Sequence, residues 1–333
     1  MSIDVSSSGR AWAVVLAGGE GVRLRDLVRR VHGDDRPKQF AALAGSRSLL
    51  RQTLDRIEPV IAPERTVIVT RHGQESHLSG ALGGARVHGV LSQPENRGTA
   101  AAILFAAEWI RARDPEAVVA VFPSDHFVLE EARFARHVAD LLAPLDAHPD
   151  WLILLGAEAR EPDEEYGWIE LGATLALTGD GEPISRVQRF WEKPSRAAAV
   201  ALHEKGWLWN TFIFVARAAL LCQLGSRYLP DMAERFARMA PFRGTELEGW
   251  AVQQAYAHMR KASFSASILE MCPPCLTVSA LPSVHWADWG TPARVLESLR
   301  KAGVLPPWFT ASDLRRAPGS APAPAVPGRP RPD

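Results

Sequence analysis

Apolar residues fall in short runs separated by longer stretches of helical period. Ala13–Ala17, Thr66–Thr70, Val118–Phe122 and Leu152–Leu155 are each about strand length and rich in Val, Ile and Leu. They are apolar at consecutive positions, so both faces must be covered, as in a sheet with helices on either side. Between them, Ala100, Ile103, Ala107 and Ile110 recur at helical spacing, with Glu108, Arg111 and Arg113 elsewhere around the turn, and Glu131–Leu142 predicts another amphipathic helix. Strand alternating with helix predicts an α/β sheet with right-handed crossovers. After about residue 160 the rhythm changes. Tyr166–Leu171 and Ile184–Trp191 predict strands joined through the turn residues Thr178-Gly179-Asp180-Gly181. Helical patterns return at Arg196–Glu204, Arg217–Leu224 and Leu247–Met259.

Composition narrows the function without naming it. Lys and Arg together number 38, as do Asp and Glu, so the formal net charge is zero and no global field favours nucleic acid or an anionic membrane. An anionic substrate must therefore be held by local groups. Three cysteines, of which Cys272 and Cys275 form a C-x-x-C pair without a second pair, argue against both a disulfide scaffold and a zinc site and fit reduced thiols. Nothing approaches the roughly 20-residue apolar run of a membrane span, and the expected location is cytoplasmic. Residues 311–333, rich in Pro and Ala, predict a disordered tail.

The strongest local signal is Leu16-Ala17-Gly18-Gly19-Glu20-Gly21-Val22-Arg23-Leu24, directly after the first strand. Three glycines in four positions allow positive φ and close approach of a ligand to the backbone, and successive N–H groups in such a turn can cradle an anion. Arg23 adds donors suited to phosphate oxygens. The loop is not a Walker loop, which needs Gly-Lys-Ser/Thr at its end. Nor is it a dinucleotide fingerprint, which wants Gly where Leu24 stands. Arg36-Pro37-Lys38-Gln39-Phe40 follows within reach, with proline fixing the approach of Lys38.

The combination resembles the sugar-phosphate nucleotidyltransferases, specifically the mannose-1-phosphate guanylyltransferases. The resemblance spans residues 13–292 in family order. After the loop and Pro37-Lys38-Gln39-Phe40 come Gln93-Pro94-Glu95-Asn96-Arg97-Gly98-Thr99-Ala100 and Phe122-Pro123-Ser124-Asp125-His126. Then follow Glu165-Tyr166-Gly167-Trp168-Ile169-Glu170, Phe190-Trp191-Glu192-Lys193-Pro194, Trp209-Asn210 and Trp286-Ala287-Asp288-Trp289-Gly290. It implies a Rossmann-like mixed sheet flanked by helices, of the nucleotide-diphospho-sugar transferase type, with a β-rich sugar-binding subregion. Residues 1–310 would form the transferase domain, with 11–160 its nucleotide-binding half and 161–310 its sugar-binding half and C-terminal helices.

By the same resemblance, Leu16, Ala17, Gly18, Gly19, Gly21 and Ser124 contact the nucleotide, Gln93, Asn96, Gly98 and Thr99 read the base, and Arg23 and Lys38 face the departing pyrophosphate. Asp125 and Asp288 converge on one Mg²⁺, since hard carboxylate oxygens suit that ion. Lys193 holds the sugar phosphate, while Gly167, Glu192 and Asn210 contact the sugar. The implied reactants are GTP and mannose 1-phosphate, with a homodimer compatible. His126, lacking a Ser or Cys partner, reads as structural beside the metal loop.

Two departures matter. The family usually continues Trp-Asn with Ser-Gly, but here Thr211-Phe212-Ile213-Phe214 follows, placing a bulky ring where glycine is usual. Val22 stands where Thr is usual, which removes no charge. Phe212 keeps two alternatives open: the same chemistry with dTTP or UTP and glucose 1-phosphate, or a nucleotide-sugar-binding protein without turnover.

Overall fold

A computed structural model describes residues 11–271 and 273–309; the tail expected at 311–333 and Cys272 lie outside them. Eleven strands are present among the described residues. They are β1 (Ala11–Leu16), β2 (Thr66–Arg71), β3 (Gly89–Gln93), β4 (Val118–Pro123), β5 (Phe127–Val128), β6 (Leu152–Glu158), β7 (Gly167–Leu177), β8 (Pro183–Glu192), β9 (Leu208–Arg217), β10 (Leu276–Ala280) and β11 (Trp286–Ala287). Nine of them form one mixed sheet in the order β3-β2-β1-β4-β9-β6-β10-β8-β7, while β5 and β11 form a separate two-stranded ribbon.

The uninterrupted apolar character of β1 follows from its place in the sheet. It pairs in parallel with β2 on one side and β4 on the other. Its alternate side chains then enter two different cores. Trp12 and Val14 pack with the helix Thr99–Arg111, whereas Ala13 and Val15 pack with residues of the helices Leu49–Ile57 and Glu131–Leu142. Helices thus cover both faces of the sheet, the architecture predicted from the runs.

The β-rich subregion is built onto this frame by antiparallel pairing. β9 enters between β4 and β6, antiparallel to both, and β7 and β8 form a long hairpin at the far edge. The hairpin turn is the predicted one, with Thr178 N accepted by Glu182 O and Gly181 at φ +87°. β7 runs to Leu177, well past the Leu171 expected from its apolar stretch, because its outer half is an exposed edge carried by pairing to β8. The carboxyl ends of the parallel strands β1, β2, β3 and β4 open on one side. Ligands of open α/β sheets lie in such a crevice.

Candidate functional site

The glycine loop leaves the carboxyl end of β1 and is stitched to its surroundings. Ala17 N donates to Val69 O at 2.7 Å, and the buried Gln39 donates through Nε2 to both Ala17 O and Gly19 O at 2.8 Å. Of the three glycines only Gly21 takes positive φ (+61°). A Cβ there would lie 2.8 Å from Lys38 N, whereas one on Gly19 would meet nothing within 4 Å. The loop therefore uses its glycines in two ways: Gly21 lets Lys38 pack close, and Gly19 leaves room open to the cleft.

Lys38 links the two ends of the chain. Its side chain is nearly buried, and Nζ lies 3.2 Å from Asp125 Oδ2 and donates to the backbone carbonyls of Asp288 at 2.8 Å and Trp289 at 3.2 Å. Asp125 follows β4 by two residues, and Asp288 lies just beyond β11. One ammonium thus joins two acidic positions 163 residues apart in sequence. The neighbouring Ser124 is buried and donates through Oγ to Leu16 O at 2.7 Å, tying the β4 loop to the start of the glycine loop.

Asp288 is held by a network that its own motif does not reveal. Its Oδ1 accepts from Tyr166 Oη at 2.7 Å, Arg294 Nη1 at 2.9 Å and Gly290 N at 3.1 Å. Arg294 is anchored in turn by Asp163, lies over the Tyr166 ring at 4.6 Å and reaches Glu165 at 3.4 Å. Burial pushes the Asp288 carboxyl up, but Arg294, the Tyr166 hydrogen bond and Lys38 outweigh it and hold the group below the usual carboxylate range. Arg23 pairs with Glu165 and lies 4.0 Å from Asp288 Oδ2. His126 is neutral: burial pushes it down to about 4, and its Nδ1 accepts from Trp286 Nε1 at 3.2 Å.

A cleft of about 380 Å³ lies over the loop, lined by Leu16, Gly18, Gly19, Gln93, Asn96, Gly98, Thr99, Ser124 and Asp125. All four residues expected to read the base are there, and the three that carry side chains each accept a hydrogen bond from within the protein through a side-chain oxygen. Asn96 Oδ1 accepts from Gly98 N at 3.0 Å, Thr99 Oγ1 from Phe264 N at 2.9 Å, and Gln93 Oε1 from Tyr256 Oη at 3.2 Å. Lys261, Ala262 and Ser263 also line the cleft. This segment is strapped down where Ala262 N donates to Arg97 O at 3.0 Å and Ala262 O accepts from Ala100 N at 3.2 Å.

Beside the cleft is a smaller cavity of about 140 Å³ whose lining includes Gly167, Glu192, Asn210, Phe212, Ser265, Tyr166 and Asp288. Burial pushes the Glu192 carboxyl up. Three of the four residues expected to hold the sugar phosphate and sugar meet here. Lys193 does not line either cavity; it is exposed just past β8, at φ +49°, with its backbone N donating to Tyr166 O at 3.1 Å.

The donor set suits a magnesium ion that keeps water and phosphate oxygens among its ligands. Among the described residues there is no cluster of three or more His, Cys, Asp or Glu side chains able to cage a metal. The two carboxylates each retain an oxygen without a close donor: Asp125 Oδ1, with His126 Nε2 at 3.9 Å, and Asp288 Oδ2, with Arg23 at 4.0 Å. Mg²⁺ is commonly bound by one or two carboxylates plus substrate phosphates, which is the kind of donor these two side chains offer.

Comparison with known proteins follows the same lines. The nucleotidyl transferase family model matches residues 12–302. The xanthan biosynthesis protein XanB of Xanthomonas campestris is 30% identical over 260 residues, 76% of this chain and 50% of XanB. The alginate biosynthesis protein AlgA of Pseudomonas aeruginosa is 32% identical over 233 residues, 67% of this chain and 44% of AlgA. The chain thus spans about half the length of these curated relatives. A Thermus thermophilus crystal structure described as a mannose-1-phosphate geranyltransferase superposes with a TM-score of 0.72 at 30% identity, covering 90% of this chain and 80% of that one. No helix among the described residues is long and apolar enough to cross a membrane.

Proposed function

The chain belongs to the nucleotidyl transferase family, and from that premise we propose that it transfers the guanylyl group of GTP to mannose 1-phosphate, giving GDP-mannose and pyrophosphate. The observation that carries the reading is the meeting of Lys38 Nζ with the Asp125 carboxylate and the Asp288 backbone carbonyl beside the glycine loop. The choice of sugar is supported by relatives such as that of Sinorhizobium fredii, 27% identical over 284 residues and named mannose-1-phosphate guanylyltransferase.

In the reaction an oxygen of the sugar phosphate bonds to the α-phosphorus while the bond to the bridging oxygen of pyrophosphate breaks. Both reactants are polyanions, so alignment and charge cancellation are the enzyme's main tasks. The backbone of Leu16, Ala17, Gly18, Gly19 and Gly21 lies along the triphosphate, with Ser124 fixing the loop. Gln93, Asn96, Gly98 and Thr99 shape the base pocket. With the side-chain oxygens of Gln93, Asn96 and Thr99 already accepting hydrogen bonds, the base is read by the shape of the cleft, the Asn96 amide nitrogen and the Lys261–Ser263 wall. Arg23 leaves Glu165 to meet the departing pyrophosphate, which Lys38 faces as well. Gly167, Glu192 and Asn210 contact the hexose, and Lys193 swings in to the sugar phosphate. Asp125 and Asp288 would hold Mg²⁺, which when bound supplies charge neutralisation on the phosphoryl oxygens.

The test is pyrophosphate release with GTP, UTP, dTTP and ATP against mannose and glucose 1-phosphates. GTP with mannose 1-phosphate should be the best pair, and Asp125→Asn and Asp288→Asn should each abolish Mg²⁺-dependent turnover. A best pair of UTP or dTTP with glucose 1-phosphate would refute the substrate assignment and keep the chemistry. Turnover retained in either variant would refute the metal site. Tight GDP-mannose binding without release from any pair would leave a binding protein.

A further inference from the structure

Phe212 stands in a backbone conformation that phenylalanine avoids. Its φ is +60°, in the left-handed region that a residue with a Cβ adopts only under strain. The cause is a bulge in β9. Leu154 pairs with Phe214 and Gly156 with Asn210, so residues 211–213 stand opposite the single residue Leu155. The bulge is pinned around its apex: Thr211 Oγ1 donates to Leu155 O at 2.7 Å and accepts from Ile213 N at 3.2 Å, and Phe212 N donates to Asn210 Oδ1 at 3.0 Å. Bulges next to active sites re-aim a side chain. Here the re-aimed ring packs edge-on against Phe214 and lines both the cleft over the glycine loop and the smaller polar cavity beside it. It is the partition between them.

The smaller cavity has three aromatic residues in its lining. Tyr166 and Trp286 are buried, with their polar atoms spent on Asp288 and His126. Phe212 is half-buried and retains an exposed portion. Polar groups to bond hydroxyls together with one accessible aromatic ring are the chemistry of a pyranose site, where C–H bonds lie on the ring and hydroxyls reach the polar edge.

We propose that Phe212 determines sugar specificity: its ring packs against the hexose, so hexose 1-phosphates are ranked by how well their shape fits against that ring. This rests on the transferase reading above. A shape-selective apolar contact discriminates by roughly 10–200-fold, which sets the scale of the effect.

The experiment measures kcat/KM for mannose, glucose, galactose and 2-deoxyglucose 1-phosphates with the preferred nucleotide in the parent, Phe212→Tyr, Phe212→Ala and Phe212→Gly. Glycine is at ease at this φ, so Phe212→Gly keeps the bulge, and a thermal melt verifies that it is folded. The ratio of best to worst sugar should fall at least tenfold in Phe212→Gly and Phe212→Ala and stay within about threefold of the parent in Phe212→Tyr, which keeps the ring. An unchanged ratio in the glycine and alanine variants, or an equal loss for every sugar, overturns the assignment of Phe212 alone. Absence of turnover by the parent with every pair overturns the transferase reading as well.

Discussion

Gly21→Ala tests the claim that the glycine loop exists to let Lys38 approach. At φ +61° an alanine carries a left-handed cost of roughly 1–2 kcal/mol. Its Cβ would also lie 2.8 Å from Lys38 N and 3.1 Å from Lys38 Cγ. The nearer atom is backbone and cannot rotate away, so the clash adds about 1–3 kcal/mol of overpacking. The sum is about 2–5 kcal/mol, against the roughly 5–15 kcal/mol that stabilise a typical domain. The variant should therefore fold, with a lowered urea midpoint. Its activity should suffer more than its stability, because displacing Lys38 moves the ammonium from Asp125 and the Asp288 carbonyl, and a shift of ~1 Å can cost about a hundredfold in rate. Gly19→Ala is the internal comparison. With nothing within 4 Å of its Cβ, it should melt within about 0.5 kcal/mol of the parent yet weaken nucleotide binding, since the methyl enters the cleft. Urea titrations and nucleotide binding of both variants provide the readout. A Gly21→Ala protein melting within ~0.5 kcal/mol of the parent refutes the packing argument.

Two further outcomes follow from groups near or behind the site. Burial pushes the His137 imidazole down to about 4, with Asp180 opposing, while the unfolded value lies near ~6.5. Between those values the unfolded chain binds a proton that the folded chain does not, so stability is full above the unfolded value and falls as pH drops through this window. The loss is on the order of 3 kcal/mol. His137→Leu should lessen the pH dependence of the urea midpoint between pH ~7 and ~4.5 without abolishing it, since His126 and His285 are pushed down to about 4 as well; an undiminished slope would count against it. Arg294→Ala strips Asp288 and Asp163 of a nearly buried shared cation and should destabilise by about 3–5 kcal/mol. Pairing it with Asp163→Asn should recover part of the loss, and a single variant as stable as the parent would show the network to be idle.

How much of this was legible depends on where each signal lives. Val118–Phe122 announces β4, and with it the position of Asp125 at a strand end, because an interior strand must be apolar throughout. The helices Glu131–Leu142 and Arg196–Glu204 match their expected bounds since their apolar stripes are uninterrupted. β9 carries no such mark: Asn210 and Thr211 break its apolar run, and they do so because they pin the bulge. Gln39, Tyr166 and Arg294 were invisible as site residues, each acting through a partner 20 or more positions away or through another carboxylate. The strap at Lys261–Ser263 is an ordinary polar loop in sequence; only its bonds to Arg97 and Ala100 make it a wall. Asn96 and Thr99 show the converse, since polar residues in a turn satisfy backbone groups as readily as ligands.

The position of β9 bears on how the chain matures. During synthesis, β6 emerges long before either of its neighbours, β9 and β10, and β4 has only β1 beside it until residue 208 leaves the ribosome. Until then one edge of β4 and both edges of β6 wait uncovered, templates for pairing with other chains. A fragment halted at residue 160 would keep them so, and its natural fate is self-association rather than independent folding.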